Sequence, residues 1–127
     1  MTTKLGKITG IVTLVFGILF VATGATAWFM VTSQLKEENI TVSSDASFAA
    51  GNQVSGPISA FAQAEVIKKH ALAISDGETY ATLGTLASEA EEAGDQEAAD
   101  AYSAQRNTLM NASFLRSSLF TSVLAYG

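Results

Sequence analysis

One histidine, no cysteine and twelve carboxylates bound the chemistry open to this chain of 127 residues. His70 lies between Lys69 and Ala71. A non-haem iron site takes two histidines and a carboxylate, and catalytic zinc takes three protein ligands. A lone histidine meets neither need. His70 therefore reads as a surface residue, and any ligand role would have to be shared with another subunit. Without cysteine there are no disulfides, no thiolate nucleophile and no iron–sulfur ligation. Glu89, Glu91, Glu92, Asp95, Glu97 and Asp100 form an acidic cluster. They lack the Asp-x-Asp-x-Asp-Gly spacing of a calcium loop, so they read as the solvated face of a helix. Gly-x-Ser-x-Gly and Gly-Lys-Ser/Thr motifs are both missing. Asn39-Ile40-Thr41 and Asn111-Ala112-Ser113 match the glycosylation pattern, which has meaning only in a secretory lumen. The reading contains no catalytic residue, no metal ligand and no cofactor.

The elements that would carry these residues begin with a long apolar segment. Residues 8–31, ITGIVTLVFGILFVATGATAWFMV, hold 24 residues without a charge. As a helix they extend roughly 36 Å, enough to cross a hydrocarbon core of about 30 Å with some tilt. Lys4 and Lys7 before the run and Ala25-Thr26-Ala27 within it have the look of a signal peptide. The run is longer than the apolar core of such a peptide, which favours a retained anchor. Two lysines precede the span, and only Lys36 follows closely, beside Glu37 and Glu38. The positive-inside rule then places residues 1–7 in the cytoplasm and residues 32–107 outside. From Lys36 to Arg106 there are 12 acidic and 4 basic residues, a formal charge of −8. Nucleic acid and anionic headgroups are poor partners for such a surface.

Gly10, Gly17 and Gly24 recur every seventh residue and line one stripe of the span, with Gly6 at its edge. Small residues let a second membrane helix approach closely, so the stripe is a candidate packing face. Trp28 suits the membrane–water interface. Residues 36–57 are polar and loop-like, with one short strand candidate at Ile40-Thr41-Val42. Ser55-Gly56-Pro57 starts a helix and Asp76-Gly77 stops it. On that helix Phe61, Ala64, Ile67, Ala71 and Leu72 share one face, and Glu65 with Lys69 makes a favourable i, i+4 pair. Gly84 weakens the next helical stretch and Gly94 breaks it. From Gln96 to the end no Gly or Pro intervenes before Gly127, which predicts one long helix. After Asn107 its only charge is Arg116, so residues 108–127 read as the start of a second transmembrane helix. Arg116 would then either snorkel to the headgroups or meet an ion-pair partner on a neighbouring subunit. The outer segment has few large side chains, so its own core should be small and its order should depend on partners.

The fold class is thus mainly α: a transmembrane helical hairpin, its second span cut short, with a small helical extracytoplasmic segment. Two stretches carry a resemblance. ENITVSSDASFAAGNQVSGPISAFAQAEVIKKHALAISDGETYATLG and RNTLMNASFLRSSLFTSVLAYG resemble a family of small actinobacterial membrane proteins, many described as "aromatic ring-opening dioxygenase". The clearest matches are residues 38–42, Gly56-Pro57, residues 62–71 and residues 110–120. The resemblance implies a two-span hairpin whose second span continues past Gly127. It also implies an accessory subunit of the respiratory supercomplex that joins cytochrome bcc to an aa3-type cytochrome c oxidase. The expected partners are therefore integral membrane subunits of respiratory complexes III and IV, together with membrane lipids. No functional residue carries over. The dioxygenase description fails on the residues, since one histidine cannot build its iron site. The competing class is a freestanding envelope protein, a homo-oligomer or ligand sensor unrelated to respiration.

Overall fold

A computed structural model describes residues 3–127. Four helices and no strands occur among the described residues: α1 Lys4–Glu37, α2 Pro57–Ile74, α3 Tyr80–Glu92 and α4 Gln96–Ala125. Each boundary has a local cause. Thr3 Oγ1 accepts from Gly6 N–H at 3.2 Å and caps α1. Asn39, at φ 51°, ends it in the left-handed region that Asn tolerates. Pro57 takes the first turn of α2, where its missing N–H costs nothing. The Ser59 hydroxyl oxygen accepts from the N–H groups of Ser55 and Gly56 at 3.0 and 3.2 Å. Asp76 and Gly77 turn left-handed at φ 52° and 82°, and Gly77 N–H reaches back to Leu72 C=O at 2.8 Å. Thr79 and Asp95 cap α3 and α4 through Thr82 N–H and Ala98 N–H.

α1 is long and apolar enough to cross a membrane, and it is the one described helix that is. It extends beyond the predicted span, to Glu37. Its apolar side chains are exposed from Leu5 to Phe29, and none packs on the rest of the chain until Trp28. Thr23 and Thr26 donate to Leu19 C=O and Ala22 C=O at 2.8 and 2.9 Å, so their hydroxyls are satisfied within the helix.

The other three helices form a cap at the C-terminal end of α1, with α4 as the common wall. α2 lies antiparallel on the second half of α4. Phe61 meets Phe120, Glu65 meets Arg116, and Ala71 shares a cluster with Leu109. α3 lies antiparallel on the first half, where Leu83 joins Ala71 and Leu109, and Leu86 and Tyr102 close the cluster. The loop between α1 and α2 folds back on α2. Thr41 and Gln53 form an antiparallel bridge, with Val54 N–H on Ile40 C=O at 2.8 Å and Val42 N–H on Asn52 C=O at 2.9 Å. This register turns Val42 and Val54 fully inward, beside Leu35, Ala60, Ala62, Ala64 and Leu119.

The structure refines three features of the reading. Of the predicted α2 face, Ala64 and Ala71 are buried and Ile67 packs on the core, while Phe61 and Leu72 stay half exposed; Ala60, Ala62 and Val66 are buried as well. The helix is covered on two sides, by α4 and by the loop, and a narrow one-sided stripe does not describe it. Glu65 and Lys69 do not pair along the helix either: Glu65 turns to Arg116 and Lys69 to Asp45. Residues 108–127, read as the start of a second span, pack against α2 and α3 down to Phe120 and reach α1 at Tyr126. Packing accounts for only part of their loss of charge: Leu109 and Leu119 are buried, whereas Phe114, Leu115 and Leu124 stay exposed.

Leu83 is fully buried and Leu72 is not. Leu83→Ala should lower the unfolding free energy of the cap by about 2–5 kcal/mol, as a buried Leu cavity does. Leu72→Ala should change it by no more than about 0.5 kcal/mol. Denaturant titration of the full chain in detergent, read by circular dichroism, checks the contrast.

Candidate membrane and partner interface

The flank of α1 that holds the glycines is bare. A Cβ at Gly10, Gly17 or Gly24 would meet nothing within 4 Å. Around Gly17 the surface sinks into a shallow depression of about 630 Å³, walled by Leu14, Ile18, Val21 and Ala25. Two bulky residues on either side of a missing side chain make a seat for a ridge on another helix. The cap leaves this flank open.

At the C-terminal end of α1 the cap is joined to it. The Trp28 ring meets Tyr126 edge-on, with centroids 4.5 Å apart and planes at 70°. The Tyr126 hydroxyl lies 2.8 Å from Thr32 Oγ1. Trp28, named from the sequence as a membrane-interface or partner contact, thus has a partner within its own chain. Asn52, Ser55, Pro57 and Ile58 border a second hollow beside it. Above this joint a groove of about 560 Å³ runs between α1, α2 and α4. Val31, Leu35, Ile67 and Leu119 supply its apolar lining, while Gln34 and Gln63 offer amides.

Arg116 is placed by α4 so that its guanidinium lies 3.4 Å from Glu65 Oε1 and 4.9 Å from the centre of the Phe120 ring. Its Nε is buried without a hydrogen-bond partner among the described residues. The sequence offered snorkelling or an ion pair with a neighbouring subunit. The observed pair is within the chain, across α2 and α4. Arg106 has a parallel role further along α4. Its guanidinium covers the Tyr80 ring at 4.0 Å. Gly84 makes room for it: a Cβ there would lie 3.2 Å from Arg106 Nε. The glycine that weakens α3 in sequence is therefore the gap through which the two helices are pinned.

His70 is not isolated. Its Nε2 lies 2.9 Å from Asp45 Oδ2, and Lys69 Nζ lies 3.0 Å from the same oxygen. Asp45 belongs to the loop, so the triad clasps loop to helix. The hydrogen bonds from His70 and then Lys69 pull the Asp45 pKa from 3.8 to about 2. Among the described residues no three His, Asp or Glu side chains are gathered to hold a metal. Asp95 and Asp100 of the acidic cluster serve α4 itself, as its cap and as the acceptor of Gln96 Nε2 at 2.8 Å. Sequence reasoning missed Asp45, Glu65 and Arg106. Gly84 within a helix was the one local signal of the last of these. No family model, curated protein or solved structure matches the chain.

A carboxylate with a depressed folded pKa contributes stability that is full above its unfolded value and lost as pH falls through its folded value. The clasp should therefore hold from pH 7 down to pH 5 and fail between about pH 4 and 2. Trp28 borders the loop. Its emission, followed through urea titrations at each pH, should show this acid step, and Asp45→Asn should remove it.

Proposed function

We propose that this chain is a non-catalytic, membrane-anchored accessory subunit, which holds larger integral membrane proteins in register. The observation that carries the reading is the division of labour between its parts. The cap closes on its own small core, whereas α1 keeps an uncovered apolar surface with a seat at Gly17. A lone anchor has no use for such a seat, but a helix that docks on other helices does. In this reading the anchor lies in a bacterial cell membrane with its N-terminus in the cytoplasm, as Lys4 and Lys7 favour. The cap stands on the opposite side. Trp28 and Tyr126 mark the interface, and α4 is directed at the bilayer there.

The resemblance supplies the complex: the actinobacterial supercomplex of cytochrome bcc and aa3-type oxidase. The acidic cap would lie over its positive side, where a charge of −8 between Lys36 and Arg106 favours a basic electron-carrying domain. The groove beside Leu35 and Gln63 favours a second reading, a freestanding envelope protein that binds a small apolar ligand there.

The affinity-tagged full chain, extracted in mild detergent, should bring down haem-bearing oxidase and bcc subunits, seen by absorbance and mass spectrometry. Gly17→Ile should weaken that recovery while leaving the cap folded. Elution of the unmodified chain free of haem would sink the supercomplex assignment and favour the second reading.

A further inference from the structure

The charges of this molecule are sorted by height, and the sorting crosses chain segments that are far apart in sequence. Residues 8–35 of α1 carry no charge, and neither do residues 46–64 or residues 117–127. The fold gathers a part of each of these three segments at one level. Trp28 of α1, Ile58 at the start of α2 and Tyr126 at the end of α4 lie around the same joint. Along each element the first charge away from the joint comes at a similar distance. It is Lys36 on α1, Glu65 on α2 and Arg116 on α4, each roughly 10–15 Å of helix from the joint at 1.5 Å per residue. The last two form an ion pair, so the edge of the charge-free zone is a single level.

This zone is not a covered core. Ile58 is 70% exposed and Leu124 78%, and Trp28, Phe48 and Phe61 are 48%, 42% and 41% exposed. Phe48 stacks on Phe61 at 6.2 Å, and Phe61 meets Phe120 at 5.7 Å. A band of half-exposed aromatic rings with hydroxyls and amides among them matches the chemistry of a bilayer interface, where amphipathic and aromatic groups are stable and charges are not. The charge-free part of α1, residues 8–35, is roughly 42 Å long as a helix. This exceeds a hydrocarbon core of about 30 Å by about 12 Å, of which one headgroup layer takes up roughly 5–8 Å.

We propose that the foot of the cap is immersed in the headgroup layer of the leaflet on which it stands. The surface around Ile58, Phe61 and Leu124 then binds lipid, and the Glu65–Arg116 pair marks the boundary with water. The zone has no rim of charge between itself and the span, so it lies at a depth where lipid headgroups and glycerol are its surroundings. This inference rests on α1 being a membrane anchor.

The test uses the full chain in lipid nanodiscs, with Trp28→Phe as background and a single tryptophan at Phe20, Phe61 or Tyr80. Lipids with a nitroxide near the headgroup and lipids brominated deep in the chain are the quenchers. The proposal expects Phe61→Trp to be quenched by the headgroup nitroxide as strongly as Trp28 is in the unmodified chain. Phe20→Trp should be quenched by the deep bromines, and Tyr80→Trp by neither. Quenching at Phe20→Trp without quenching at Phe61→Trp would overturn the immersion and keep the anchor, leaving the foot to a protein partner. Quenching at Tyr80→Trp would overturn it by showing a cap that lies flat on the surface. No quenching at Phe20→Trp would overturn the anchor itself. Circular dichroism of each variant confirms the helical content, and the swaps keep aromatic residues in place.

Discussion

The cap of this protein has almost no large side chains to bury, so everything in it depends on one shared wall. α4 touches each of the other helices, and α2 and α3 lean on its two halves without forming an interface of their own. The residues α2 turns inward are mostly alanines. Each contributes little by area alone. Their value is geometric: they let the loop and α4 come close enough for Val42, Val54 and Leu119 to be buried fully or nearly so. A core of this kind is small for its length, in keeping with the limits on a chain of this size.

Polar contacts then set the register that a smooth alanine surface leaves loose. Arg116 on Glu65 fixes α2 against α4, and Arg106 over Tyr80 fixes α3 against the same helix. Asp45 with Lys69 and His70 fixes the loop. Exposed ion pairs of this sort contribute little stability each. They matter here as positioning devices, because the apolar contacts beneath them would tolerate a slip by a turn. The joint of Tyr126 with Thr32 and Trp28 does the same between the cap and α1. A joint at that level gives the cap a defined attitude to α1.

Much of this architecture was legible in the residues. The apolar run, the start at Pro57, the stops at Asp76-Gly77 and Gly94, and the unbroken helix from Gln96 are all local features, and the helices follow them. Less legible was the meaning of residues that look alike from nearby. Loss of charge after Asn107 reads equally as approach to lipid and as burial between helices. The loop at residues 38–56 looked formless because its order comes from one bridge and two inward valines. His70 was read as a surface residue and Arg116 as a charge that must snorkel or pair, and their partners Asp45 and Glu65 were not found.

What the sequence determined by itself is therefore what depends on neighbours a few residues away: helix limits set by caps and breakers, and one helix long and apolar enough to cross a membrane, set by unbroken hydrophobicity. The tertiary structure alone decided which face of α2 is buried, why a glycine stands at position 84, and what Arg116 faces. Those outcomes follow from side chains more than 20 positions distant in the chain. Periodicity reports only that a helix has a side to bury. It does not report how many neighbours will cover it, nor which distant charge the antiparallel register of α2 and α4 brings within reach.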